Sequence, residues 1–407
     1  MKAILGDYIA EAVNGFASGE RTEDGVIQLR MNNVSSKGSI DLSRSIRVPT
    51  SDKQRQRFLL KQGDVLFNHT NSTELVGKTA LFDAYDEDVV FSNHFTRLRV
   101  KPEKADATYL SFFINHLWNR GYFRQRCQVW VGQSAVRFEV LATAPAKFPD
   151  VSTQHRVAFR LKEQMSAVEQ ARQSANDASK AIRPLLEKTI ADSFRCIIPL
   201  SLGRDEAPAP KGWRWKSLVE LARLATGHTP SRRCPEYWAD GDIPWLALPD
   251  IRALDCHVAT KTSEMTNALG IANSSARLLP PGTVALSRTA SVGFVTLFGK
   301  EMATSQDFVN WVCGPDLYPS FLMWLLRAAR VFIRGASTGA VHQTVYMNVV
   351  ERFRVCLPNI AEQKKIAARL DESFRLIQQL QAAHEAQLAA LDRLPGAYLR
   401  EAFGNLQ

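Results

Sequence analysis

The sequence predicts a mixed α/β (α+β) protein: two domains with mixed sheets, separated by two long antiparallel coiled-coil-like helices, as a pseudo-twofold tandem repeat. Three observations predict it. The chain repeats itself at a spacing near 210 residues. Each repeat opens with short apolar runs broken by Gly, Pro, Asn and Ser, and each closes on a long stripe of apolar residues at helical spacing.

Four matches in the same order carry the repeat. Leu59–Thr70 (LLKQGDVLFNHT) mirrors Leu278–Thr289 (LLPPGTVALSRT), and Val76–Phe82 mirrors Val292–Phe298. Ser92-Asn93-His94-Phe95 stands against Ser305-Gln306-Asp307-Phe308. Phe148-Pro149-Asp150-Val151, with Gln154 and Leu161, matches Leu357-Pro358-Asn359-Ile360, with Gln363 and Leu370. The offset drifts from 219 to 209, as loop insertions produce. A unit of this length is a duplicated domain rather than a solenoid repeat.

Within the first repeat, Val65–Phe67, Val89–Phe91 and Leu98–Val100 read as strands. Their counterparts are Thr283–Leu286, Phe294–Phe298 and Phe308–Val312. β-Branched and aromatic runs bounded by turn residues favour that state. One helix interrupts each set, over Ala107–Gly121 and Pro319–Ile333.

After Pro149 the apolar stripe runs through Val157, Leu161, Met165, Val168, Ala175, Ala178 and Ile182. After Pro358 it runs through Ile366, Leu370, Phe374, Ile377, Leu380, His384, Leu388 and Leu391. Steps of three and four residues make an amphipathic face able to pack helix on helix. The expected packing residues are Leu161, Met165, Val168, Ile182, Leu370, Phe374, Ile377, Leu388 and Leu391, with His384 a packed helix histidine. Asn359 followed by Glu362 is a capping pair. Pro184 and Pro395 are expected to kink or break the two helices. The expected domains are 1–148 and 211–357, with helices over 149–199 and 358–407 and a flexible join at 200–210 containing Gly203, Pro208 and Pro210. Two such helices packed antiparallel place the domains at opposite ends of a rod.

Composition bounds the function. The chain has 407 residues and a formal net charge of +10. The excess lies in the two domains: 20 Lys+Arg against 16 Asp+Glu in 1–148, and 16 against 11 in 211–357. The intervening and closing segments are nearly neutral, at 9 against 8 and 6 against 6. Two basic blocks suggest two contacts with a polyanion. No apolar run is long enough for a spanning helix, and the first residues lack a signal-like apolar stretch, so no membrane association is expected. Six cysteines without a C-x-x-C pair suit a reducing compartment, and a cytoplasmic protein is expected.

The apparent catalytic constellations have plainer readings. Gly77-Lys78-Thr79 lacks the glycine a phosphate loop needs at position 72, where Ser72 stands. Gly293 repeats Gly77, which points to a backbone-close turn. Cys234, Cys256, His228 and His257 lack the paired spacing of a zinc site. The one acidic-x-Lys triplet, Glu362-Gln363-Lys364, opens a helix, and no Asn-Pro-Pro or Asp-Pro-Pro loop for a flipped base occurs. No catalytic residue, metal or cofactor is expected in this chain.

The second repeat opens with Trp213-Arg214-Trp215, Thr226-Gly227-His228-Thr229-Pro230-Ser231, Tyr237-Trp238, Ile243-Pro244-Trp245 and Leu248-Pro249-Asp250-Ile251. This resembles a target-recognition domain of the specificity subunits of type I restriction–modification enzymes. The segments Leu357–Leu370 and Arg400–Leu406 are similar to that family's helix opening and C-terminal end. The first repeat lacks the T-G-x-T-P and I-P-W motifs and offers Gly25–Val34 (GVIQLRMNNV), which resembles another class of recognition domain. The resemblance covers nearly the whole chain. It implies a non-catalytic subunit that reads a bipartite double-stranded DNA site in the major groove. It further implies docking of two adenine-methyltransferase subunits, which bring S-adenosylmethionine, and of restriction–translocase subunits. The rival reading is a coiled-coil protein adaptor that does not bind DNA.

Base reading needs hydrogen-bonding side chains and cations on loops. In the first domain the candidates are Arg30, Asn32, Asn33, Lys37, His69, Asn71, Lys78, Asn93, Gln133, Ser134 and Arg137. In the second they are Arg232, Arg233, Arg288, Thr289, Ser291, Gln306, Ser337, Thr338, His342 and Gln343.

Overall fold

The run Val65-Leu66-Phe67 is apolar throughout because its strand, Val65–Asn68, is buried on both faces at the centre of a sheet. The computed structural model describes residues 3–204, 206–339 and 343–404. It divides into two units, Met1–Asp177 with Glu385–Gln407, and Ala178–His384.

In the first unit the main sheet is antiparallel, in the order Ile9–Asn14, Phe95–Val100, Val65–Asn68, Thr79–Leu81. A second sheet pairs Val26–Leu29 antiparallel with Ile46–Val48 and parallel with Val89–Phe91. The helix Ala107–Asn119, capped by Asp106, lays Tyr109, Phe113 and Leu117 into the core with Val65, Phe67 and Leu98.

The second unit repeats this plan. Its main sheet runs Ala222–Thr226, Phe308–Cys313, Val284–Ser287, Val295–Phe298, with Val258–Ala259 added at the edge. Its second sheet pairs Ile243–Leu246 antiparallel with Glu264–Thr266 and parallel with Ala303–Thr304. Val26–Leu29 therefore holds the place of Ile243–Leu246, although the sequences diverge there. One shared constraint survives. A Cβ on Gly15 would lie 2.3 Å from the Ser92 carbonyl oxygen, and one on Gly227 2.0 Å from that of Ser305. Each unit needs glycine where the chain crosses from its main sheet to its second sheet.

Three expectations change. The expected helix over Pro319–Ile333 is two helices, Pro319–Ala328 and Arg330–Gly335, divided at Ala329. The second piece ties itself to the preceding loop: Arg330 bonds Asp255 and the Gly293 carbonyl, and Arg334 the Val292 carbonyl. The join after the first long helix is partly zipped into a sheet. Leu200–Ser201 pairs with Arg354–Val355, Glu206 bonds Arg354, and the Trp215 indole donates to the Ala207 carbonyl.

The third change concerns the long helices. They run unbroken over Val151–Ser193 and Ile360–Phe403, with Pro184 and Pro395 inside them. Leu161, Val168, Ile182 and Leu370 are buried, while Met165, Phe374, Ile377, Leu388 and Leu391 are half-buried. Ala178 and Leu380 are exposed: in the first helix the seam passes through 175, 179 and 182, and in the second it passes from 377 to 384 with both 380 and 381 left in solvent. His384 is buried on that seam. Within the first unit Ala158 and Leu161 share a core with Leu399 and Phe403, and Arg172 pairs with Asp392, so these two segments run antiparallel. Within the second unit Ile190 and Phe194 share a core with Ala367 and Leu370.

One buried glutamine fastens each helix to its domain. The Gln154 amide accepts from the Asp106 backbone N–H and donates to the carbonyls of Lys104 and Pro149. Gln363 accepts from Tyr318 N–H and donates to the carbonyls of Asp316 and Pro358. The first turns are capped alike, by Asp150 accepting from Thr153 N–H and Asn359 accepting from Glu362 N–H.

Candidate nucleic-acid interface

The central strand of each main sheet continues into a segment that collects a late part of the chain. In the first unit His69–Asn71 follows the strand; Val136 N–H donates to the His69 carbonyl at 2.8 Å, and Thr70 and Asn71 pair with Ala135 and Ser134. In the second unit Arg288–Ala290 follows; Val345 N–H donates to the Arg288 carbonyl at 2.8 Å, and Ala290 N–H to the Gln343 carbonyl at 3.1 Å. Residues some 60 positions apart thus lie side by side in the same way twice.

Polar side chains gather there. Thr96 Oγ1 bonds Asn14 Oδ1 at 2.7 Å and His69 Nδ1 at 3.0 Å. Burial, then neighbouring His94, hold the His69 imidazole neutral down to about 4. Burial, then Arg30, push His94 down as well. In the second unit Thr229 Oγ1 donates to Gln306 Oε1 at 2.6 Å, and Arg288 Nε donates to the Gln306 carbonyl at 3.1 Å. Ala290 takes a left-handed φ of 56° in this segment. Neutral imidazoles, amides and hydroxyls of this kind donate and accept as base edges do, and guanidinium groups donate to their acceptors.

The structure brings His69, Asn71, Asn93 and Ser134 around one such segment, and Arg288, Thr289, Gln306, Thr338 and Gln343 around the other. Asn93, Gln133, Gln306, Thr338 and Gln343 are exposed; Asn71 and Ser134 are buried, bonded to Asn68 and Thr73. Arg30 is half-buried beside exposed Asn32. Asn33 is buried, accepting from Arg30 N–H and donating to the Asp41 carbonyl. Lys78 is buried too, donating to the carbonyls of Met31 and Val34, so its ammonium fixes the Met31–Val34 turn. Gly77, at φ 94°, packs against the Phe123 ring. Lys37 lies elsewhere, paired with Glu169 and Asp392. Arg137 is exposed ahead of the helix Phe138–Ala142. Arg232 is neutralised by a two-pronged pair with Glu264 and stacks on Trp238, while Arg233 is exposed. Ser291 is buried and accepts from Arg252 Nε, and Ser337 bonds the Arg334 carbonyl. His342 lies outside the described residues. Asn14, His94, Thr96 and Thr229 were not anticipated. The repeat match of His94 with Asp307 and the place of Thr229 in the Thr226–Ser231 motif were the signals that pointed near them.

Two sheet domains of one plan, each with a polar segment built alike and each fastened to a long helix, define a duplicated recognition protein. The model of the type I restriction modification DNA specificity domain matches residues 210–389. The MjaIX type I specificity subunit of Methanocaldococcus jannaschii is 25% identical over 44% of this chain and 42% of its own length. A putative MjaX specificity subunit of the same organism is 21% identical over 79% of this chain and 74% of its own. The crystal structure of the HsdS subunit from Thermoanaerobacter tengcongensis superposes with a TM-score of 0.65, at 19% identity, over 100% of this chain and 97% of that one. The family model thus covers the second domain and much of the closing helix, and the chain is similar in sequence and fold to specificity subunits of type I restriction–modification enzymes. Among the described residues no helix is long and apolar enough to cross a membrane.

Proposed function

We propose that this chain reads a bipartite double-stranded DNA target, one half-site per sheet domain, and recruits two adenine-methyltransferase subunits together with restriction–translocase subunits. The observation that carries the reading is the twofold construction of the polar segment: His69–Asn71 with Ser134–Ala135, and Arg288–Ala290 with Gln343–Thr344. Two such segments with different side chains suit two different half-sites. The chemistry of methylation, with S-adenosylmethionine and a flipped adenine, resides in the partner. The adaptor alternative has no use for a basic excess confined to the two domains.

Binding of the full chain with its methyltransferase partner to duplex DNA, titrated with salt, tests the reading. Affinity falls steeply and log-linearly with salt if phosphates are neutralised. A flat response returns the chain to the adaptor class. Exchanging residues 1–148 for those of a relative changes one half of the methylated motif, and a change in both halves refutes independent reading. Mass measurement of the complex at saturating methyltransferase gives two partner copies per chain.

A further inference from the structure

The hairpin formed by Gln128–Trp130 and Gln133–Ala135 carries an apolar tip with no cover. Val129, Trp130 and Val131 are 65, 56 and 105% exposed, and Gly132 turns the chain at φ 77°. Exposed apolar clusters of this kind mark binding surfaces. The base of the hairpin is firm: Ser134 is buried, bonds Thr73 at 2.8 Å, and pairs in the sheet with Asn71. The tip is thereby mounted on the polar segment at His69–Asn71.

The sequence flanking the tip points to the occupant. From position 107 to 138 the chain holds four arginines, at 120, 124, 126 and 137, and no carboxylate. Arg124, Arg126 and Arg137 are exposed, and Arg126 is stacked on the Tyr122 ring at 4.0 Å. An apolar tip among cations fits a polyanion with an apolar interior, which is duplex DNA. The major groove admits a two-stranded ribbon, and aromatic side chains stack on bases.

We propose that the Gln128–Ala135 hairpin enters the groove at the first half-site and that Trp130 and Val131 wedge into a base step, partly unstacking it, while Arg124, Arg126 and Arg137 hold the phosphates. This rests on the DNA-reading function above and adds a distorting contact to it. Apolar side chains that open a step at the cost of its stacking are known from minor-groove binders; here the same unstacking is assigned to a ribbon in the major groove.

Duplexes selected by the full chain from a randomised pool are the probe. Trp130→Ala lowers affinity about tenfold to a hundredfold, the range of one aromatic–base stack, and leaves the salt slope unchanged, while Trp130→Phe retains most of the affinity. Single mismatches are then scanned along the selected duplex. Wild type binds more tightly when the mismatch falls at the wedged step, since the unstacking is done in advance, and Trp130→Ala gains nothing at any position. Arg126→Gln does the reverse, reducing the salt slope and keeping the mismatch profile. Equal affinity and an equal mismatch profile for wild type and Trp130→Ala overturn the wedge. So does loss of methyltransferase binding alone, which would make the tip a protein contact. Failure of wild type to select any duplex would instead overturn DNA reading itself.

Discussion

Gln154 and Gln363 each satisfy one backbone N–H and two carbonyls at a helix start. Leucine fills the space but leaves those groups dry and unpaired, so Gln154→Leu is expected to destabilise the first unit and Gln363→Leu the second by about 2–4 kcal/mol each, read from denaturant midpoints. Both glutamines were visible in sequence as part of the repeat, but their role was not, because two of the three partners of each sit 45–50 positions upstream. The polar segments were legible as loop chemistry, yet Asn93 is exposed while Lys78 is buried, because the Lys78 ammonium reaches the carbonyls of Met31 and Val34 some 45 positions upstream. Histidines give the first unit a pH response. His116 is buried among Phe113 and Phe403, with neither ring nitrogen bonded, and burial, then Arg120 and Arg400, push it down to about 4. His69 is pushed equally low. In the unfolded chain both titrate near 6.5. Between pH 6.5 and 4 the unfolded state binds the extra protons, so stability falls as pH falls. The expected loss at His116 is about 3 kcal/mol by pH 4. His116→Phe should flatten that part of the curve; an unchanged slope would show that the ring is protonated at little cost.

At the scale of elements, strands and helices were legible wherever apolar runs were long enough: Val65–Asn68, Phe95–Val100, Val284–Ser287 and Phe308–Cys313 all lie on expected runs. Val26–Leu29 was not read as a strand because Gln28 interrupts its apolar run, and Leu200–Ser201 because two residues carry no pattern. Of the kink or break expected at the prolines, the break does not occur. A proline removes one intrahelical bond and crowds the preceding turn, but 43 and 44 residues of packed helix outweigh that local penalty. Pro184 is exposed, so alanine there restores a bond without disturbing the seam. Pro184→Ala is expected to stabilise the protein by about 1–3 kcal/mol, measured by thermal unfolding. No gain would mean that the helix bends at Pro184 to fit its neighbours.

At the scale of the whole chain, the tandem organisation was legible because four matches preserve their order while loops between them change length. The equivalence of Gly25–Val34 with the I-P-W region was hidden, since only the strand position and the crossing glycine are kept. Each long helix leaves one unit and enters the other once, between Asp177 and Ala178 and between His384 and Glu385. Insertions at those two points leave the internal contacts of each unit untouched. Four helix-forming residues in each lengthen both by about 6 Å, or one to two base pairs at ~3.4 Å per pair. If the helices carry the distance between half-sites, the doubly inserted protein methylates the same two half-sites with the unread gap enlarged by one or two base pairs. Insertion in one helix alone sets the two lengths against each other and should abolish assembly. Methylome sequencing of cells carrying each version is the measurement. An unchanged gap with full methylation in the doubly inserted protein would show that something other than helix length sets the spacing.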